Sequence, residues 1–140
     1  MANAIYPKYK EALLTGDSNI SLSSGTVKIS LVDADTTAYS SLNQFYSDLD
    51  ANGIITTVSM SNKTVTAGVF DADDVTFTSV TANTSLTDGI GDSLLIWIDT
   101  TDENTSRLVA WLDTNISGLP ITPDGSNVDI TWNASGIFQL

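Results

Sequence analysis

The chain has 140 residues, a formal net charge of −12 and neither cysteine nor histidine. Those absences exclude a disulfide framework, a thiolate nucleophile, a Cys/His zinc site and any histidine-based triad. With 17 acidic against 5 basic residues, the surface is expected to repel phosphate backbones and anionic membranes, so neither nucleic acid nor membrane is an expected partner.

One domain is expected over residues 1–140, with an N-terminal helical segment over 1–16 and a β-rich body over 26–140. Apolar residues make up 41% of the chain and charged residues 16%, a globular rather than a disordered balance. Thr, Ser, Asp and Asn supply most of the polarity; with Val and Ile they favour strands and turns over long helices. The bases are unevenly placed: Lys8, Lys10, Lys28 and Lys63 come early, and Arg107 alone follows. The opening MANAIYPKYKEALL lacks the basic and then apolar regions of a signal peptide. The longest apolar run is far short of the ~20 residues of a spanning helix. Synthesis in the cytoplasm is the expectation.

In chain order, Tyr6–Leu14 reads as a short helix, with Pro7 in its first turn and Gly16 at its C-terminal cap. Tyr6, Tyr9, Leu13 and Leu14 form an apolar stripe that needs tertiary or intersubunit contact to persist. Thr26–Asp33 alternates, with Val27, Ile29 and Leu31 on one face and Lys28 and Ser30 on the other, the pattern of a half-buried strand. Leu42, Phe45, Tyr46 and Leu49 have helical spacing, which predicts a second short helix over Ser41–Asp50 with Ser40 or Ser41 as its N-cap. Ile54–Met60 and Lys63–Val69 read as strands around Ser61-Asn62, and Val75–Val80 as a further alternating strand.

Asp92–Asp113 is the centre of the chain: DSLLIWID, six polar residues, then SRLVAWLD. It reads as a β-hairpin with a longer loop. Leu94–Ile98 is apolar at every position, so this strand is expected to be covered on both faces. Asn115–Ser126, with Gly118, Pro120, Pro123 and Gly125, reads as a long connection that is functional or buried in an interface. Asn127–Trp132 and Gly136–Phe138 close the chain as short strands, and the apolar end IFQL suggests a terminus held in a sheet. The fold class expected is β-rich α+β, an antiparallel β-sandwich or barrel-like domain with two short helices.

The candidate chemistry is sparse. Asp71, Asp73 and Asp74 form the densest acidic cluster, of the kind that attracts a divalent cation such as calcium. An EF-hand counted from Asp71 would need Gly and Glu where the chain has Thr76 and Ala82, so a solvated turn without a metal is the reading preferred. Asp99, Asp102 and Glu103 surround the hairpin loop, again a solvated tip in preference to a cation site. Asp99 and Asp113 mark opposite ends of the ladder, about 17 Å apart, too far for one metal or for a glycosidase pair. Asp33 and Asp35 flank a turn with no identifiable base or nucleophile beside them. Trp97, Trp111 and Trp132 could stack on sugars, but each lies among apolar neighbours and reads as packing. Six Asn-x-Ser/Thr sites, at Asn19, Asn62, Asn83, Asn104, Asn115 and Asn133, follow from composition. Arg107 is expected to offset hairpin carboxylates or to bridge to a neighbouring subunit. No cofactor is expected and no catalytic constellation is identifiable.

Several segments, taken in order, carry a resemblance. Tyr6-Pro7-Lys8-Tyr9-Lys10-Glu11-Ala12-Leu13-Leu14-Thr15-Gly16 is followed by Thr26–Asp33, then by Phe45-Tyr46-Ser47-Asp48-Leu49. Gly68–Phe77 comes next, and Thr131-Trp132-Asn133-Ala134-Ser135-Gly136-Ile137-Phe138 ends the series. This order resembles small structural proteins of tailed bacteriophages. The resemblance covers nearly the whole chain and implies a non-enzymatic virion component, a capsid decoration (cement) protein. Its implied partner is the major capsid protein or another virion protein. A homo-oligomer is expected, a trimer by preference, with contacts through Tyr6, Tyr9 and Leu13 of the helix, Leu119 and Ile121 of the long connection, and Arg107. A tail, baseplate or fibre protein, or a carbohydrate-binding module using the tryptophans and a cation, are the alternatives.

Overall fold

The computed structural model describes residues 3–140. The hairpin predicted over 92–113 forms, with β7 spanning Ser93–Asp99 and β8 spanning Arg107–Leu112. Leu94 pairs with Leu112 and Ile98 with Arg107, with a register shift at Ile96/Trp97. On the other side of β7 lies β2 (Thr26–Val32), paired from Thr26–Asp99 to Val32–Ser93. Outside β2 is β3 (Ile54–Ser59), and outside β8 is β1 (Ala4–Ile5). The five-stranded sheet therefore runs β1-β8-β7-β2-β3, with every pair antiparallel.

Neighbours on both sides and cover on both faces explain why β7 does not alternate: Ser93 through Ile98 are all buried. Opposed residues of an antiparallel pair share a face. Leu94, Ile96 and Ile98 thus lie with Leu31, Ile29 and Val27, and all six are 3% exposed or less. A fully buried aliphatic side chain contributes about 1.5–3 kcal/mol, so this seam is a dense source of stability.

Two smaller sheets complete the body. β4 (Thr64–Thr66), β5 (Val69–Asp71) and β10 (Phe138–Gln139) are ordered β10-β5-β4, and β6 (Val75–Phe77) pairs with β9 (Val128–Ile130). Phe70, Val75, Phe77, Val128 and Ile130 join the same core as the hairpin. The C-terminal segment is held in a sheet as expected: Phe138 pairs with Phe70, their rings 5.2 Å apart, and the Leu140 N–H donates to the Gly68 carbonyl at 3.0 Å. Among the described residues the sheets are antiparallel and open, with β1 and β3 at the ends of the large one. The barrel-like alternative does not occur.

The N-terminal helix α1 covers Pro7–Thr15. Gly16 takes the left-handed conformation at φ 67°, and the Asp17 N–H reaches back to the Ala12 carbonyl at 3.0 Å, closing the helix as a glycine cap should. The second helix, expected over Ser41–Asp50, does not form. Single 3₁₀ turns at Tyr46–Asp48 and Ala51–Gly53 take its place. The Asp48 carboxylate accepts the backbone N–H groups of Gln44 (2.7 Å) and Phe45 (2.9 Å), a local bond that competes with helix. The same segment is taken up by the edge of β8: the Tyr46 N–H donates to the Ser106 carbonyl and the Leu108 N–H to the Gln44 carbonyl. Leu42, assigned to the apolar face of that helix, is 81% exposed.

Ser61-Asn62 does not turn one hairpin out of 54–69. The run 63–69 is split by Ala67 and Gly68, both at positive φ (52° and 79°), as a tight hairpin turn requires. β4 and β5 then pair with each other, Thr64 opposite Asp71. Ser30, expected on a wet face, is fully buried; its hydroxyl accepts the Trp97 indole N–H at 3.0 Å and shares a hydrogen bond with Thr57 at 2.7 Å.

Close packing at one glycine gives a first test. A Cβ on Gly53 would lie 2.6 Å from the Thr37 Cβ and 2.8 Å from the Thr37 backbone nitrogen. Thr37 is buried and its hydroxyl is bonded to the Asp50 carbonyl, so it has little room to yield. Gly53→Ala is expected to cost about 1–3 kcal/mol through overpacking, measured by urea denaturation. An unchanged midpoint would show that residues 33–37 move aside freely.

Candidate functional site

The acidic side chains form no common centre. At the hairpin tip the Asp102 carboxylate accepts the Asn104 N–H at 2.9 Å, closing the turn on itself. Asp99, at the end of β7, is held 2.6 Å from the Lys28 ammonium and accepts the Thr101 N–H at 2.8 Å. Asp113 follows β8 at the opposite end of the ladder, where Leu112 pairs with Leu94. The expected separation of these two carboxylates thus holds.

The Lys28 hydrogen bond, helped by the Thr101 N–H, holds the Asp99 carboxyl below the usual aspartate range against the opposing effect of burial. A depressed folded-state value means the pair stabilises the fold above the ordinary aspartate value of ~3.9, and the contribution is lost as pH falls through the folded-state value. Lys28→Met is therefore expected to lower Tm at pH 7, with the deficit shrinking as pH falls below ~3.9. Thermal scans of both chains across that range check it; a deficit independent of pH would assign the loss to packing alone.

The 71–74 cluster is divided among different partners. Asp73 accepts from the Ser61 hydroxyl (3.2 Å) and the Asn62 amide (2.6 Å), while Asp74 accepts the Trp132 backbone N–H (2.9 Å). Asp71 lies in β5 opposite Thr64. Among the described residues no group of at least three carboxylates is close enough to hold a metal. The cluster ties together the chain around 61–62, the β5–β6 connection and residue 132. Asp33, 1% exposed, likewise caps its own turn by accepting from the Asp35 and Thr36 N–H groups. Asp35 instead faces Asp88, whose negative charge is the main reason its carboxyl is raised from the ordinary value.

The aromatic side chains are mostly structural. Trp111 is 1% exposed and Trp97 8%, the latter packed against Tyr46 with the rings tilted at 36° and a centroid distance of 4.3 Å. Trp132 is half-buried, its indole N–H donating to the Asp73 carbonyl at 3.0 Å. The three do not form an exposed platform. Tyr6 and Tyr9, expected to face another subunit, are 0% and 1% exposed inside their own chain. The Tyr9 hydroxyl donates to the Ile20 carbonyl at 2.8 Å, and burial pushes this phenol up to about 12. The Tyr6 ring lies 5.1 Å from Tyr39, which lies 6.2 Å from Trp111. These tyrosines dock the short helix on its own sheet.

Arg107 is also turned inward, at 3% exposure. Its Nη2 donates to the Asp17 carboxylate at 2.9 Å and its Nε to the Ser18 carbonyl at 3.2 Å, while the guanidinium lies 5.1 Å from the Phe45 ring. The carboxylate that Arg107 meets within the chain is therefore not in the hairpin but in the loop after α1. Leu13, Leu119 and Ile121 remain half-buried, and the Ile121 backbone exchanges hydrogen bonds with Gly91 at 2.7 and 2.9 Å.

Two surface grooves had no signal in residue spacing. One, of about 470 Å³, lies at the open end of the hairpin, where Tyr39, Trp111 and Pro120 meet Asp92 and Asp113. Its walls come from four separate stretches of chain. The other, of about 430 Å³, lies between α1 and β10. Leu14, the last member of the helical stripe, stands on it at 89% exposure, with Leu140 at 55%. No helix among the described residues is long and apolar enough to cross a membrane. No family model, curated protein or solved structure matches this chain.

Proposed function

We propose that this chain is a non-enzymatic structural protein of a tailed-bacteriophage particle, a decoration protein that cements the head shell. The observation that carries the reading is the use made of the acidic side chains. Asp33, Asp48, Asp50, Asp73, Asp74 and Asp102 each accept hydrogen bonds that close a turn or tie down a neighbouring segment. Carboxylates spent on shaping loops support a scaffold rather than a reaction centre. The order of segments that resembles phage structural proteins supports the same reading. In it the smaller sheets cover the five-stranded sheet as the second layer of a sandwich, the chain works in the virion after synthesis in the host, and its partner is the major capsid protein.

A net charge of −12 favours a basic protein surface as the partner and disfavours packaged DNA. The burial of Trp97 and Trp111 argues against the carbohydrate-binding alternative. Mass spectrometry of purified particles tests the proposal. Finding the chain at a copy number comparable to the major capsid protein supports a decoration role. A few copies per particle would move it to the tail, baseplate or fibre, and absence from the particle would overturn the structural reading.

A further inference from the structure

We propose that Asp88-Gly89 is a self-modifying link of the folded chain, at which the Gly89 nitrogen attacks the Asp88 side chain and converts that residue to isoaspartate. Glycine follows Asp or Asn at three places, Asn52-Gly53, Asp88-Gly89 and Asp124-Gly125. A following glycine favours this attack because it has no Cβ to crowd its own nitrogen. By residue type all three pairs are candidates. Asn52 would come first, since near neutral pH a side-chain amide is a better electrophile than an ionised carboxylate. The fold ranks them differently.

At Asn52-Gly53 the reacting groups are held apart. The Gly53 N–H donates to the Asp50 carbonyl at 3.2 Å, and the Asn52 side-chain amide, the group that would leave, donates to the Asp50 carboxylate at 2.8 Å. Gly53 is also buried against Thr37. The two Asp-Gly pairs make a closer comparison. Asp88 Oδ1 accepts the Ile90 N–H at 3.0 Å, and Asp124 Oδ1 accepts the Ser126 N–H at 3.0 Å. Both aspartates are exposed, both glycines have positive φ (73° and 94°), and no side chain or backbone crowds either glycine. They differ at the nucleophile. The Gly125 N–H is tied to the Val80 carbonyl at 2.7 Å, whereas the Gly89 N–H has no hydrogen-bond partner among the described residues. The electrophile differs in the same direction. The Ser126 hydroxyl, and then its N–H, hold the Asp124 carboxyl below the usual aspartate range, and an ionised carboxylate resists attack. At Asp88 the Ile90 N–H rests on the oxygen where negative charge gathers as the ring closes.

The step balances with water as the sole co-reactant. The Gly89 nitrogen bonds to Cγ of the protonated Asp88 carboxyl, and its hydrogen departs with the carboxyl OH as water. A second water then opens the five-membered imide. Opening at Cγ restores aspartate, and opening at the main-chain carbonyl leaves the nitrogen on Cγ, which is isoaspartate. No atom is gained, but the main chain now runs through the side chain and is one carbon longer. That carbon enters between Thr87, bonded to Thr36, and Gly91, bonded to Ile121. The tether between these two fixed points is thereby lengthened.

The purified full chain tests this, incubated for weeks near neutral pH both folded and in urea. Peptide mapping with a fragmentation that separates isoaspartate from aspartate reads each site. In the folded chain isoaspartate at 88 is expected to exceed that at 124 by about fivefold or more, the worth of one hydrogen bond broken before ring closure. In urea the two Asp-Gly pairs lose their different partners and are expected to converge, while Asn52 is expected to deamidate faster than in the folded chain. A ratio of 88 to 124 no higher folded than in urea would overturn the proposal, as would isoaspartate missing from 88 in the folded chain. The measurement needs only the chain itself, so its outcome is independent of whether the protein belongs to a phage particle.

Discussion

Trp111→Ala is expected to lower the unfolding free energy by about 3–5 kcal/mol, the largest loss of any single truncation considered for this fold. Trp111 is 1% exposed and sits in β8 opposite Leu95 on one side and Ala4 on the other. Its ring lies beside Tyr39, which in turn touches Tyr6. Truncation therefore removes apolar transfer energy and leaves a void. β8 is held between β7 and β1, so the backbone has little freedom to collapse into that space, and the cavity contribution persists. Trp111→Phe keeps most of the contact and is expected to lose less than half as much. Urea denaturation followed by far-UV circular dichroism measures both. A loss below about 1 kcal/mol for the alanine variant would contradict the placement of this ring in the core.

Arg107→Ala is expected to cost about 2–4 kcal/mol, whereas Arg107→Met is expected to stay within about 1 kcal/mol of wild type. The side chain of Arg107 is 4% exposed, but that of its partner Asp17 is 50% exposed. Removing the arginine therefore leaves a carboxylate that water can solvate, which keeps the penalty below that of a fully buried pair. The remaining loss is the Nε hydrogen bond to the Ser18 carbonyl and the packing of the stem against its neighbours and of the guanidinium on Phe45. Methionine restores the stem without requiring a charge to be kept from water. Equal losses for alanine and methionine would show that the ion pair, not the packing, is what matters. Because Arg107 is spent within the chain on Asp17, Ser18 and Phe45, oligomeric mass is expected to be unchanged wherever Arg107→Ala remains folded.

What was legible in the sequence follows from how local each signal is. The unbroken apolar run Leu94–Ile98 reads as a strand covered on both faces, and β7 is that strand. Pro7 and Gly16 bracket α1 because both act through their own backbone angles. The segment 41–50 misleads for the opposite reason. Its helical spacing is real, but the Asp48 side chain and the end of β8 that β1 does not reach offer the same backbone groups better partners. Likewise, nothing in the spacing of Ala67-Gly68 outweighs Ser61-Asn62 as a turn until β5 finds β10 on its other edge.

Contact residues are less legible than strands. A stripe of Tyr6, Tyr9 and Leu13 says that one face of a helix is covered, not whether its own sheet or another molecule covers it. Here the sheet takes the tyrosines and leaves Leu14 outside. Arg107 shows the same ambiguity in charge: a lone base in an acidic half needs a carboxylate, and Asp17, ninety residues away in sequence, supplies it.

The β2–β7 seam has a consequence for how the protein is made. Its two halves, Thr26–Val32 and Ser93–Asp99, are separated by the whole of 33–92, so β2 leaves the ribosome long before its partner is synthesised. Until then its apolar residues depend on transient shelter, and pairing across so long a loop belongs to the slower class of folding reactions. A nascent chain arrested before residue 93 should remain protease-sensitive throughout, and one released with β9 and β10 in place should gain resistance in a single step.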